Sequence, residues 1–165
     1  MKLKDIFWSW DFVVAFPLSL FVGQILPYWV SNEFAHDLYG IGISVLSIVF
    51  SVYFAALAII ISSSDDDFVR FLEEDGDYTA IISTFQFSLA ALFVALIYSL
   101  VMYAFTAAWI SHKYESQPFW WLGIFSFLFF YGLFAALTST LDSIRYAKFR
   151  TKYLRSKKST GASSN

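Results

Sequence analysis

The chain has 165 residues, enough for one domain, and combines 58% hydrophobic residues with only 15% charged ones. Together with a mean hydropathy of +0.60, this composition lies well outside the norm for soluble domains and leaves a soluble bundle as the minor alternative. Cysteine is absent, which excludes disulfides, thiolate metal sites and cysteine nucleophiles.

Four long stretches contain no charged residue, and each approaches or exceeds the roughly 20 residues that cross a hydrocarbon core as a helix. Their apolar residues surround the helix on all sides, a pattern typical of burial in lipid. The sequence therefore predicts an all-α integral membrane protein, an antiparallel bundle of four transmembrane helices. We expect these helices at about 12–30, 38–63, 80–110 and 118–141.

The first stretch follows Lys2 and Lys4 and could be a signal peptide. It is longer than an ordinary signal-peptide core, however, and no A-x-A-like cleavage site follows it. We expect it to stay as a membrane anchor. Pro17 and Pro27 should kink or end its helix.

Two loops, 31–37 and 111–117, are expected on the outer side of the membrane. His36 with Glu33 and Asp37 in one loop, and His112 with Glu115 in the other, offer nitrogen and oxygen ligands if the loops come close. Two histidines without i, i+4 spacing are more typical of ordinary surface residues. We therefore expect no metal and no cofactor.

The second and third stretches carry small residues at steps of three and four, a spacing that places them on one helix face. We call these faces the second-helix seam and the third-helix seam. Small residues allow close backbone approach, a main source of helix association in lipid. We expect the two seams to pack against each other; alternatively, one seam faces a second subunit or lines a pore. The second-helix seam comprises Gly40, Ser44, Ser47, Ser51, Ala55 and Ala58, and the third-helix seam Thr84, Ser88, Ala91, Ala95 and Ser99.

Segment 64–79 is an acidic loop for which we predict a short cytoplasmic helix, with serine and aspartate at its positive end and glycine closing it. Its successive aspartates lack the spacing of a calcium loop. Helix capping and solvation explain them better than metal binding. The acidic residues of this loop are Asp65, Asp66, Asp67, Glu73, Glu74, Asp75 and Asp77.

Segment 142–158 continues the fourth helix as a basic tail, and 159–165 is expected to be disordered. A basic helix with an aromatic edge suits the anionic inner leaflet, although the same charges could serve only to stop transfer. A tail this short beside a membrane favours lipid over nucleic acid. The basic residues of the tail include Arg145, Lys148, Lys152, Arg155, Lys157 and Lys158.

The orientation follows from the positive charges. Of 11 lysines and arginines, only Lys113 lies on the side opposite the termini, so the positive-inside tendency places both termini in the cytoplasm. We expect the inner (plasma) membrane of a bacterium as the location.

No catalytic or phosphate-binding motif occurs in the sequence, and the predicted crossings hold no ionisable residue to serve ion-coupled transport. The sequence therefore favours a non-enzymatic bundle that associates with itself or with a protein partner, as a scaffold, regulator or membrane-acting effector. The alternative is an oligomeric channel, pore or small transporter. A membrane enzyme would have to use the histidines and carboxylates of the outer loops.

Overall fold

The computed structural model describes residues 10–62 and 77–162, and these residues are almost entirely helical. The elements, in chain order, are α1 (Trp10–Ile25), β1 (Trp29–Ser31), α2 (Asn32–Ser62), α3 (Asp77–Ser111), β2 (Ser116–Pro118) and α4 (Phe119–Ala162).

Three helices have the length and apolarity of membrane spans: Asn32–Ala58 in α2, Ile82–Ser111 in α3 and Phe119–Leu141 in α4. Their 27, 30 and 23 residues correspond to about 40, 45 and 34 Å of helix, more than the ~30 Å hydrocarbon core. The predicted all-α class is confirmed, and these three helices indicate a membrane-embedded protein.

The first helix is shorter than predicted. α1 has 16 residues, with Pro17 inside it, and ends at Ile25 before Pro27. At about 24 Å it is apolar but, unlike the other three helices, shorter than the ~30 Å hydrocarbon core.

A short antiparallel ribbon joins the connection between α1 and α2 to the connection between α3 and α4. β1 pairs with β2 in a register that sets Val30 opposite Gln117. The ladder continues at both ends, because the Asn32 amide donates to the Glu115 carbonyl (3.0 Å) and the Phe119 amide to the Tyr28 carbonyl (3.1 Å). Both connections therefore lie at one end of the molecule, which we call the ribbon end.

The helices alternate in direction, since α1 and α3 end at the ribbon and α2 and α4 begin there. α2 packs against α3, and α3 against α4, with a smaller contact between α2 and α4. α1 packs mainly on α4. Helices α2, α3 and α4 thus form a three-helix group, to which α1 is added along α4.

Large side chains fill the interior of the three-helix group. Near the ribbon, the Tyr39 ring meets Phe125 edge-on at 5.0 Å; farther along, the Tyr53 and Phe85 rings stack at 4.9 Å. Two buried clusters result. The ribbon-end cluster contains Val30, Ala35, Tyr39, Met102, Leu122 and Phe125, and the second contains Leu46, Tyr53, Leu57, Phe85, Leu92, Ala95 and Ala136.

α4 continues well beyond the predicted end of its crossing. From Leu141 to Ala162 it adds 21 residues, or about 31 Å, and the predicted basic tail lies on this extension. The extension includes 159–162, where the sequence predicted disorder.

The acidic loop falls mostly outside the described residues. Asp77 is the first residue of α3. Asp65, Asp66, Asp67, Glu73, Glu74 and Asp75, and with them the predicted short helix, lie outside the described part of the chain.

Candidate interaction surfaces

The third-helix seam is buried, and it faces α4. Ser88 and Ser99 are almost inaccessible, as is Ala95. The Ser88 hydroxyl lies 2.6 Å from the Ser139 hydroxyl and 3.1 Å from the Ala135 carbonyl. α3 and α4 therefore meet through small residues.

A glycine on α4 permits this close approach. A Cβ added to Gly132 would stand 3.3 Å from the Leu92 side chain and 3.8 Å from that of Ala95.

Of the remaining third-helix seam residues, Thr84 and Ala91 are half-buried.

The second-helix seam points mostly away from the rest of the chain. Ser44, Ser51, Ala55 and Ala58 are exposed, and Ser47 is half-buried. This corrects the expectation that the two seams pack against each other. The physical reason is that α4 already occupies the third-helix seam, so that α2 meets α3 through large side chains, as where the Tyr53 ring stacks on Phe85.

The exposed seam has little unsatisfied polarity. The Ser44 hydroxyl donates to the Gly40 carbonyl at 3.0 Å, and the Ser51 hydroxyl to the Ser47 carbonyl at 2.8 Å. Only Gly40 is crowded, because a Cβ there would come within 3.3 Å of the Tyr103 ring. This face can therefore contact lipid or the backbone of another helix without leaving the hydroxyl donors of Ser44 and Ser51 unpaired.

Polar side chains are buried beneath the ribbon. Asn32 and Gln117 are each 1% exposed. The side-chain amide of Asn32 donates through Nδ2 to the Tyr114 carbonyl at 2.7 Å. Gln117 lies beside the Tyr39 hydroxyl, but no hydrogen bond of regular geometry joins them. Within the described residues, Asn32 Oδ1, both amide atoms of Gln117 and the Tyr39 hydroxyl have no hydrogen-bond partner.

The two histidines have separate structural contacts. The His36 ring stacks on Tyr103, with centroids 3.9 Å apart, and His112 Nδ1 lies 2.8 Å from the Ala108 carbonyl. Among residues 10–62 and 77–162, no three histidine, aspartate or glutamate side chains are grouped to hold a metal ion.

A polar pocket of about 490 Å³ lies at the ribbon end, between the start of α2 and the end of α3. Lys113, in the left-handed region with φ of 63°, forms part of its rim. Charged groups of both signs line the pocket, which favours small polar solutes over apolar ones. Its lining is Ser31, Asn32, Glu33, Ile110, Lys113, Tyr114 and Glu115.

An apolar groove of about 770 Å³ runs between α1 and α4, and we call it the α1–α4 groove. Away from the ribbon, the Thr138 hydroxyl donates to the Asp11 carboxylate and the Phe12 ring meets Phe127 edge-on at 5.7 Å. The groove is lined by Phe12, Phe16, Ser19, Leu20, Gly23, Gln24, Phe119, Trp120, Gly123, Ile124, Phe127 and Leu128.

No protein-family model, curated protein or solved structure matches this chain. Its class therefore follows from its own physical properties: it is a helical protein with three helices able to span a membrane.

Proposed function

We propose that this chain is a non-enzymatic membrane protein that associates with itself or with a protein partner through the second-helix seam, acting as a scaffold, regulator or membrane-acting effector. The observation that carries the proposal is that the second-helix seam stays exposed at Ser44, Ser51, Ala55 and Ala58, whereas the third-helix seam is used inside the chain. In lipid, small residues are where helices associate most closely.

The proposed topology has four crossings, with both termini in the cytoplasm of a bacterium and the ribbon end outside. α1 would be the fourth crossing, because its apolar part, Asp11–Ile25, packs along α4 and shares the ribbon end. The basic α4 extension would then lie against the anionic inner leaflet, where each basic residue contributes on the order of 1 kcal/mol.

Single-cysteine cross-linking tests the association cleanly, because the natural chain has no cysteine. We expect Ser44→Cys, Ser51→Cys and Ala55→Cys to form disulfide-linked dimers under mild oxidation in native membranes. Leu137→Cys is the matched control, since Leu137 is also exposed but lies on α4. Cross-linking at Leu137 alone would assign the contact to another face.

A monomeric mass in native detergent micelles, together with no cross-link at any position of the second-helix seam, would exclude self-association. The protein-partner form would then be tested by photo-cross-linking from Ser51 in membranes of the native host. A lack of adducts with any protein there would end the proposal.

A second candidate is an oligomeric pore or small transporter, in which the hydroxyls of Ser44, Ser47 and Ser51 face a shared path. Ion flux through liposomes containing the purified protein would support it. In that case Ser51→Leu should abolish flux while leaving the protein folded and assembled.

A further inference from the structure

The α1–α4 groove follows the ribbon-side part of the span in α4. On α4 its lining extends from Phe119 to Leu128, about 14 Å of the span Phe119–Leu141, which is close to the ~15 Å of half a hydrocarbon core. On α1 the lining extends from Phe12 to Gln24, about 18 Å, which is most of that short helix. From this match we propose that the groove binds an acyl chain of a membrane lipid from the leaflet on the ribbon side.

The cross-section of the groove favours a hydrocarbon chain over a helix. Its 770 Å³, spread over about 18 Å, gives a mean cross-section of about 40 Å². A helix with side chains is at least 10 Å wide and needs about 80 Å². The groove therefore cannot enclose a whole helix, whereas an extended hydrocarbon chain can lie along it as it stands.

The polarity of the groove matches that of an amphiphile. Gln24 and the half-exposed Trp120 lie at the ribbon-side mouth, at the level where an ester carbonyl and headgroup would lie, and indole rings favour this level. The one other polar side chain of the lining, that of Ser19, donates to the Phe16 carbonyl at 2.8 Å. The remaining lining is apolar.

The described lining contains no charged side chain. Selection should therefore depend on the hydrocarbon chain and not on headgroup charge. We expect phosphatidylcholine and phosphatidylglycerol probes to enter the groove to the same extent.

Two glycines make the inference directly testable. A Cβ added to Gly23 or Gly123 would meet nothing within 4 Å, so a larger side chain at either position extends into open space in the groove. Gly123→Leu and Gly23→Leu should fill the groove while leaving the α1–α4 contact intact. Ala90→Leu is the matched control, because it adds similar bulk at an exposed position on α3.

The experiment uses full-length protein in phosphatidylcholine vesicles that contain a phosphatidylcholine probe with a diazirine in its acyl chain. After photolysis, we expect labelled peptides to concentrate in residues 12–24 and 119–128. Labelling there should fall at least five-fold in Gly123→Leu and stay unchanged in Ala90→Leu. Circular dichroism and size exclusion would verify that each variant is folded.

Labelling spread evenly over all exposed faces, or unchanged in a folded Gly123→Leu protein, would overturn the proposal. A change in oligomeric state with no labelling of the groove would assign it to a second copy instead. If Gly123→Leu does not fold, the wild-type labelling pattern and Gly23→Leu decide the question. These outcomes are independent of cross-linking at the second-helix seam, so the two proposals can fail separately.

Discussion

The hydroxyls of Ser88 on α3 and Ser139 on α4 lie 2.6 Å apart, and both side chains are buried within the protein. Hydrogen bonds between helices in lipid contribute about 0.6 to 2 kcal/mol. We expect Ser88→Ala and Ser139→Ala each to lower the free energy of unfolding by about 1 kcal/mol, and the double variant by less than the sum. Unfolding in mixed micelles of dodecyl sulfate measures this.

The control for this cycle is Ser44→Ala, at an exposed position where the hydroxyl bonds only within its own helix. Its effect should be close to zero in the monomer. Strict additivity of the Ser88 and Ser139 variants would contradict a direct bond between them.

Gly42 is where a side chain would be least tolerated. A Cβ at this position would lie 2.5 Å from Cζ of Phe125 and 2.7 Å from another atom of the same ring, in a ring held against Tyr39. We expect Gly42→Ala to destabilise the protein by about 1 to 3 kcal/mol, as measured by its thermal midpoint in detergent. Gly23→Ala, with open space around it, should have little effect, and equal losses in both variants would refute the packing argument.

Gln117 is buried with neither amide atom paired within the described residues. Because an unpaired buried amide costs about 1 to 3 kcal/mol, Gln117→Leu should leave stability unchanged or raise it. Chemical unfolding of both proteins side by side is the measurement. A loss of more than 1 kcal/mol, an amount near the net value of one hydrogen bond, would mean that Gln117 has a bound partner.

The contact between Asp11 and Thr138 fastens the start of α1 to α4. Thr138→Val removes the donor while keeping the shape, and should loosen α1 without unfolding α2–α4. Limited proteolysis is expected to release the α1 segment faster in this variant. Thr140→Val is the control, since the Thr140 hydroxyl donates to the carbonyl of Ala136 on its own helix. Equal release of α1 in both variants would contradict a specific role for the hydrogen bond between Thr138 and Asp11.

The orientation can be tested with two further cysteines. Under the proposed topology, Lys113→Cys is accessible to a membrane-impermeant maleimide added outside spheroplasts, and Lys148→Cys only after lysis. Lys113 follows the end of α3, and Lys148 lies beyond the apolar part of α4. The reverse labelling pattern would mean that the protein has the opposite orientation. Labelling of both sites from outside would mean that α4 does not cross the membrane.

The sequence predicted the helices well because long uncharged stretches have few alternatives to helix in lipid. The ribbon was missed for a definite reason. β1 and β2 have three residues each, too few to show the alternation of a strand, and they pair across more than 80 positions of the chain.

The partner of each seam could not be read from the sequence either. Small residues mark a helix face as able to pack closely, but the neighbour depends on which large side chains fill the other faces. Here the Tyr53 ring of α2 stacks on Phe85 of α3, while the Ser88 hydroxyl of α3 lies against Ser139 of α4. The spacing of small residues is the same in both seams, so it carries no information about the partner.

The order of the helices has a consequence for biosynthesis. α1 leaves the ribosome before α2, α3 and α4, yet its main contact is α4, the farthest of these along the chain. Among the described residues, the strand that follows α1 pairs with the strand that precedes α4. The nascent α1, short and with Pro17 inside it, therefore has no main packing partner until α4 has been made. A chain truncated before Phe119 would leave α1 without that contact.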